Sequence, residues 1–173
     1  LILSSLYAEQ ENYEEAQIVL KQFLAKQEDS FYGNYYLARM YEAAEQLRSA
    51  EKVYRKTLEI APSSRPVKLD LARVLGLQKK TQEAIKLCEE VLKEDSQNVL
   101  AKNLRSQLLL GDNRFEEARK ELEEIGELEE DSLDTRLKIA LIKLQQRDFE
   151  GAQVDFNLIL AEKPDSSPAH YYL

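Results

Sequence analysis

The sequence predicts an all-α fold, a solenoid of antiparallel helix-turn-helix repeats, and two observations carry that prediction. Five alanines, Ala16, Ala50, Ala84, Ala118 and Ala152, stand 34 residues apart without an insertion. A second set, Ser4, Ala38, Ala72, Ser106 and Ala140, keeps the same period 12 residues earlier and is small in every copy. A strict period of this length marks a two-helix unit stacked on copies of itself, because one hairpin cannot bury its apolar face alone. Small residues on either side of a turn let two antiparallel helices approach closely.

With the five alanines placed at slot 20, the chain reads as a partial repeat over 1–30 and full repeats over 31–64, 65–98, 99–132 and 133–166. Residues 167–173 begin a further repeat. First helices are expected over about 32–45, 66–79, 99–112 and 133–146, and second helices over about 48–61, 82–95, 116–127 and 149–162. In 31–64 the apolar residues Leu37, Met40, Tyr41 and Ala44, then Ala50, Val53, Tyr54 and Leu58, recur at helical spacing. Slot 10 (Leu6, Met40, Val74, Leu108, Ile142) and slot 24 (Leu20, Tyr54, Cys88, Leu122, Phe156) are apolar in all five copies. The segments between helices are polar: Gln46, Lys79 with Lys80, Asp112 with Asn113, Arg147 with Asp148. Pro62 and Pro164 share slot 32 and end the second helix, since proline cannot donate to the helical ladder. A continuous coiled coil would carry its heptads through these turns, and they do not continue.

Composition narrows the function classes. The 173 residues are 43% hydrophobic, and no run approaches a membrane span. The single cysteine, Cys88, excludes an internal disulfide and cannot alone make a zinc site. The formal charge of -8 resides in residues 116–134, where ten acids face two bases, Arg119 and Lys120. No basic excess remains for neutralising phosphates, so nucleic acid is not an expected partner.

The small slots, the apolar slots and slot 32 together resemble the tetratricopeptide repeat family. That family carries small residues at slots 8 and 20, apolar or aromatic ones at 7, 11, 17 and 24, and proline at 32. The repeat over 31–64 matches best, with Leu37, Ala38, Tyr41, Ala50, Tyr54 and Pro62 in place, and Tyr13-Glu14-Glu15-Ala16 and Phe115-Glu116-Glu117-Ala118 also fit. The resemblance implies a right-handed superhelix whose first helices line a concave groove that binds a protein or peptide. The departures are the absence of tryptophan, a polar slot 4 (Asn34, Lys68, Lys102, Arg136, His170), and Arg105 and Lys143 at usually apolar slots 7 and 11. Gly126 stands where the other copies have leucine, which makes 99–132 the expected weak repeat.

No catalytic constellation emerges, and neither a cofactor nor a metal is expected. Cys88 falls in an always apolar slot, where a buried thiol is the plain reading. His170 reads as a surface or stacking residue, and the five glycines form no phosphate-cradling motif. Paired acids such as Glu116 and Glu117 complement a helix N-terminus. The acidic stretch, including Glu123, Glu127 and Glu130, is either a solvated outer face or a docking patch for a basic partner.

By the family geometry, slots 2, 5, 6, 9 and 13 look into the groove. They nominate Tyr32, Tyr35, Tyr36, Arg39, Asp70, Arg73, Asn103, Gln107 and Lys138 as partner contacts. Tyrosine offers area, a hydroxyl and few rotors, and Arg39 with Arg73, both at slot 9, can receive a carboxylate. Asp70, three residues before Arg73, can instead pair with it. Some family members hold the C-terminal carboxylate of heat-shock chaperones in a clamp of lysines, asparagines and arginine. This chain offers Tyr35, Arg39, Asp70, Leu100 and Leu104 in one frame, and Leu69, Arg73, Leu104, Asp134 and Lys138 in the next, so the clamp is missing.

The expected function is a non-enzymatic scaffold for protein interaction. The alternatives are a regulatory or substrate-presenting segment of a larger enzyme, such as a glycosyltransferase, or a bacterial secretion or envelope-assembly factor. Compartment, cytoplasmic or bacterial cell envelope, is not legible. Leu1, Ile2, Leu3 and Leu6 at one end and Tyr171, Tyr172 and Leu173 at the other lead to an expectation of head-to-tail self-association. The register itself is testable: Ala84→Leu should cost about 1–3 kcal/mol by overpacking in chemical denaturation, and an unchanged midpoint would contradict the slot assignment.

Overall fold

The computed structural model describes residues 1–128 and 132–173, and all regular structure among them is helical. Two compact units divide the chain, Leu1–Lys93 and Glu94–Leu173. The first contains α1 (Ile2–Glu9), α2 (Tyr13–Leu24), α3 (Phe31–Ala43), α4 (Leu47–Ile60), α5 (Arg65–Leu77) and, but for its last residue, α6 (Thr81–Glu94). The second contains α7 (Val99–Gly111), α8 (Phe115–Leu128), α9 (Leu133–Gln145), α10 (Phe149–Glu162) and α11 (Ser167–Tyr172). Helix starts at Phe31, Arg65, Val99, Leu133 and Ser167 keep the 34-residue period, as do those at Tyr13, Leu47, Thr81, Phe115 and Phe149.

The small slots explain the hairpins. Ala16, Ala50, Ala84, Ala118 and Ala152 are fully buried, and Ser4, Ala38, Ala72, Ser106 and Ala140 nearly so. With no side chain beyond Cβ or Oγ at these points, the helices can approach within the ~8–10 Å of close packing. Slot 24 completes each core: Leu20, Tyr54, Cys88, Leu122 and Phe156 have no exposed surface. Near the end of the second unit, Phe156 and Ile159 pack with Ala140, Ala152 and Ala169 beneath Leu133, Leu137 and Leu141.

First helices α3 and α5 stop two residues earlier than the sequence pattern suggests, and the turn supplies the reason. Glu11, Glu45, Lys79, Asn113 and Arg147, again 34 apart, all take positive φ, from 56° to 64°. The following amide reaches back five residues, as in Gln46 N to Tyr41 O at 2.8 Å and Lys80 N to Leu75 O at 2.9 Å. This left-handed closure satisfies the last carbonyls of the first helix and reverses the chain. Helices α4 and α10 end at Ile60 and Glu162, two residues ahead of Pro62 and Pro164.

At the start of α3, Ser30 Oγ accepts from Gly33 N at 3.2 Å. A Cβ on Gly33 would lie 2.8 Å from a Leu24 methyl and 2.9 Å from the Phe23 ring, so a larger residue here would displace these side chains where α2 meets α3. The Asn98 side chain caps α7 through Ala101 N at 3.0 Å, and that of Asp148 caps α10 through Gly151 N at 2.9 Å.

The departures at slots 4, 7 and 11 acquire partners. Lys68 meets Glu90 at 3.3 Å, Lys102 meets Glu124, and Arg136 meets Glu162 at 2.5 Å, each tying a first helix to its own second helix. Arg105 pairs with Glu121 and Lys143 with Asp155 at 2.7 Å. Glu121 and Asp155 occupy slot 23, where the other copies carry Val19, Val53 and Leu87. An apolar contact has thus been exchanged for an ion pair within the same hairpin. The acids of α8 are also engaged: Glu117 with Arg114 at 2.7 Å, and Glu116 and Glu123 with Arg119 at 3.0 and 3.5 Å. Glu130 lies outside the described residues, and of Glu127 only the helical backbone is described.

Helix α8 continues through Gly126, where an added Cβ would meet only Thr135 Cγ2, at 4.0 Å. The site therefore accepts a methyl group. Gly126→Ala should raise stability by about 1 kcal/mol and slow amide exchange along α8; an unchanged or faster exchange would show that this glycine does not weaken the repeat.

Candidate partner-binding site

Six of the nine nominated residues lie on α3 and α5 of the first unit, and the structure sorts them into two groups. Tyr32 and Tyr36 are exposed, at 61% and 38%. Tyr35 is half-buried between them and the core: it stacks on Phe31 at 5.9 Å and lies 6.0 Å from Tyr36 and 6.2 Å from Tyr54, centroid to centroid. Helical spacing places residues 32, 35, 36 and 39 on one side of α3, which is why a single helix presents all four.

Tyr35 belongs to a polar network that crosses three helices. Its hydroxyl donates to Asp70 on α5 at 2.8 Å. Arg73 binds the same Asp70 carboxylate and also Glu42 of α3, at 2.5 Å. The buried Tyr54 of α4 donates to the other oxygen of Glu42 at 2.8 Å. Burial, then the adjacent Asp70 carboxylate, pushes the Tyr35 hydroxyl up to about 12. Burial, with Asp70 and Glu42 nearby, drives the Tyr54 hydroxyl further above the usual phenol range. Arg73 is partly desolvated, but Glu42 and Asp70 hold its guanidinium in the charged form.

Arg39 is placed differently. Its guanidinium sits 6.0 Å from the Tyr35 ring centroid, and it forms no ion pair with a carboxylate among the described residues. It borders two clefts. One, of about 710 Å³, lies between α1 and α3, with Ser5, Ala8, Tyr32, Tyr36 and Met40 in its wall. The other, of about 640 Å³, lies between α3 and α5 and includes Glu42, Glu45, Arg73 and Leu77.

The remaining nominated residues belong to the second unit. On α7, Asn103 is half-buried and Gln107 is exposed. On α9, Lys138 pairs with Asp134 at 2.5 Å. Sequence reasoning missed Glu42 and Tyr54 as parts of the network. A signal existed: a tyrosine in a fully buried slot needs a partner for its hydroxyl, and Glu42 lies across the turn from it. Cys88 is buried without exposed surface, and His170 Nε2 lies 2.8 Å from the Pro164 carbonyl oxygen. No described helix is long and apolar enough to cross a membrane.

Stacked helical hairpins with a tyrosine-rich first-helix face define an α-hairpin repeat protein. Tetratricopeptide repeat profiles match residues 3–65 in one case and 41–108 and 77–142 in another. The chain belongs to the tetratricopeptide repeat family. Among curated proteins none matches it. Solved structures share the fold at low identity. MamA from Desulfovibrio magneticus (residues 41 to the end) is 17% identical with a TM-score of 0.85, covering 95% of this chain and 94% of that one. A tetratricopeptide repeat protein from Parabacteroides merdae is 17% identical with a TM-score of 0.89, covering 98% and 67%. YrrB, described as having an unusual peptide-binding site, is 15% identical with a TM-score of 0.79, covering 97% and 87%.

The network has a consequence at high pH. Tyr35 keeps its proton longer in the folded state than in the unfolded chain, so its contribution to stability is whole below about pH 10 and is lost as pH rises towards 12. In an ultraviolet titration, Tyr35→Phe should remove a phenolate that forms near pH 12; removal of one that forms near pH 10 would mean that neither burial nor Asp70 holds the proton on this hydroxyl.

Proposed function

We propose that this chain is a non-catalytic scaffold that holds a peptide or helical segment of a partner protein against the first helices of its repeats. The observation that carries the reading is the α3 face, where Tyr32, Tyr36 and Arg39 stand exposed over two clefts of about 710 and 640 Å³. Rigid aromatic side chains beside a cation are the residue types that concentrate binding energy at protein interfaces. The network beneath them supports the reading, because Tyr35, Asp70 and Arg73 hold α3 and α5 in fixed relation and so keep the face preorganised. Membership of a repeat family and the peptide-binding site described for YrrB agree with it.

In the second unit we assign Asn103, Gln107 and Lys138 to the same partner-facing role. The non-catalytic part of the reading draws on Cys88, sealed in the core, and on His170, set against the Pro164 carbonyl. The exposed apolar side chains Leu1, Ile2, Leu3 and Leu6, and Tyr171, Tyr172 and Leu173, support a head-to-tail contact between copies as a further part of the proposal.

A pull-down from native extract, with partners identified by mass spectrometry, tests these points. A Tyr32→Ala, Tyr36→Ala, Arg39→Ala variant should retain its thermal unfolding midpoint and lose partner capture by about tenfold or more, as for a cluster of interface hot spots. Full capture by that variant would overturn the proposed site. Two differently tagged copies in the same experiment should co-purify; failure to do so at high concentration would remove the head-to-tail contact.

A further inference from the structure

We infer that the α3 face selects an extended peptide bearing a carboxylate side chain within two residues of a large apolar one, with Arg39 as the carboxylate receptor. This rests on the partner-binding reading above and adds its chemistry. Arg39 and Arg73 occupy the same slot in consecutive repeats, yet their charges are spent differently. Arg73 is neutralised within the protein by Glu42 and Asp70. Arg39 is exposed, rests against the Tyr35 ring and meets no carboxylate among the described residues. A guanidinium laid on an aromatic ring keeps its planar fork available for a bidentate carboxylate, and is weakly hydrated enough to accept one.

The two clefts set what flanks that carboxylate. On the α1 side, Ala8, Tyr32, Tyr36 and Met40 make a largely apolar wall suited to a leucine-sized or aromatic side chain. On the α5 side, Glu42 and Glu45 stand beside Arg73, and Glu9 borders the apolar cleft. Because Glu42 is already paired, Glu45 and Glu9 repel a second acid on either side and confine the ligand's negative charge to Arg39. In an extended segment, side chains at i and i+2 share a face about 7 Å apart, which lets one fill the cleft while the other meets the arginine.

The test is selection of a phage-displayed library of twelve-residue peptides on the full chain, followed by titration of synthetic peptides from the enriched pool. Enriched peptides should pair Asp or Glu with Leu, Ile, Phe, Tyr or Trp within two positions. Arg39→Gln in the protein, or Asp→Asn in the peptide, should each weaken binding about tenfold, with little further loss when combined. Selection on Arg39→Glu should return lysine or arginine in place of the acid. Peptides without acid enrichment, lost on Tyr32→Ala or Tyr36→Ala but indifferent to Arg39→Gln, would overturn the carboxylate preference and leave the site standing. If no peptide is enriched, or if binding ignores all three substitutions, the partner-binding reading itself fails. Arg39 is solvent-exposed, so its variants should unfold at the parent temperature, which separates lost recognition from lost structure.

Discussion

Each hairpin is held at the distance that its small residues allow. Ala38 and Ala50, like Ala72 and Ala84, are fully buried, and side chains this small allow two helices to come close enough for slot 24 to be sealed. A larger side chain at slot 8 or 20 would push the helices apart and unseal the layer above and below it, because a packed interior absorbs added volume poorly. The burial of Leu20, Tyr54, Cys88, Leu122 and Phe156 follows from that approach, and so does the fixed length of the turn. The five left-handed turn residues are the backbone expression of the same constraint. None is glycine, so each accepts a backbone conformation that L-residues disfavour in order to close the hairpin.

The candidate site is built on this frame by a second kind of interaction. Tyr54 fills a core slot but brings a hydroxyl, and Glu42 accepts its hydrogen bond. Glu42 in turn holds Arg73, which holds Asp70, which accepts from Tyr35. Through this chain of charge-assisted bonds a buried side chain of α4 positions the aromatic face of α3. The frame of the candidate site therefore originates in the core, and Tyr32, Tyr36 and Arg39 stand exposed above it.

How much was legible depends on whether a feature repeats. Slots 8, 20 and 24 were readable because five copies vote on each, and their burial agrees with the vote. The alternative partner for Arg73, Asp70 three residues earlier on the same helix, was also visible, since helical geometry alone brings such residues together. Arg105 and Lys143 looked like defects until their slot 23 partners, Glu121 and Asp155, appeared across the hairpin. That exchange was written in the sequence, but it requires comparing two slots at once. The role of Glu42 was harder to see, because slot 12 shows no pattern among the copies and the contact crosses from one repeat to the next.

By itself the sequence determined the fold family, the period, the register of each helix within its hairpin and the side of α3 on which the tyrosines fall. These follow from helical periodicity and from small residues at fixed intervals, which are local quantities. The tertiary structure alone decided that Arg73 also meets Glu42 while Arg39, its equivalent in the preceding repeat, meets no carboxylate among the described residues. Slot 9 assigns Arg39 and Arg73 the same position, but only the packing of α3 against α5 brings Glu42 to Arg73 and leaves Arg39 on a tyrosine ring between two clefts.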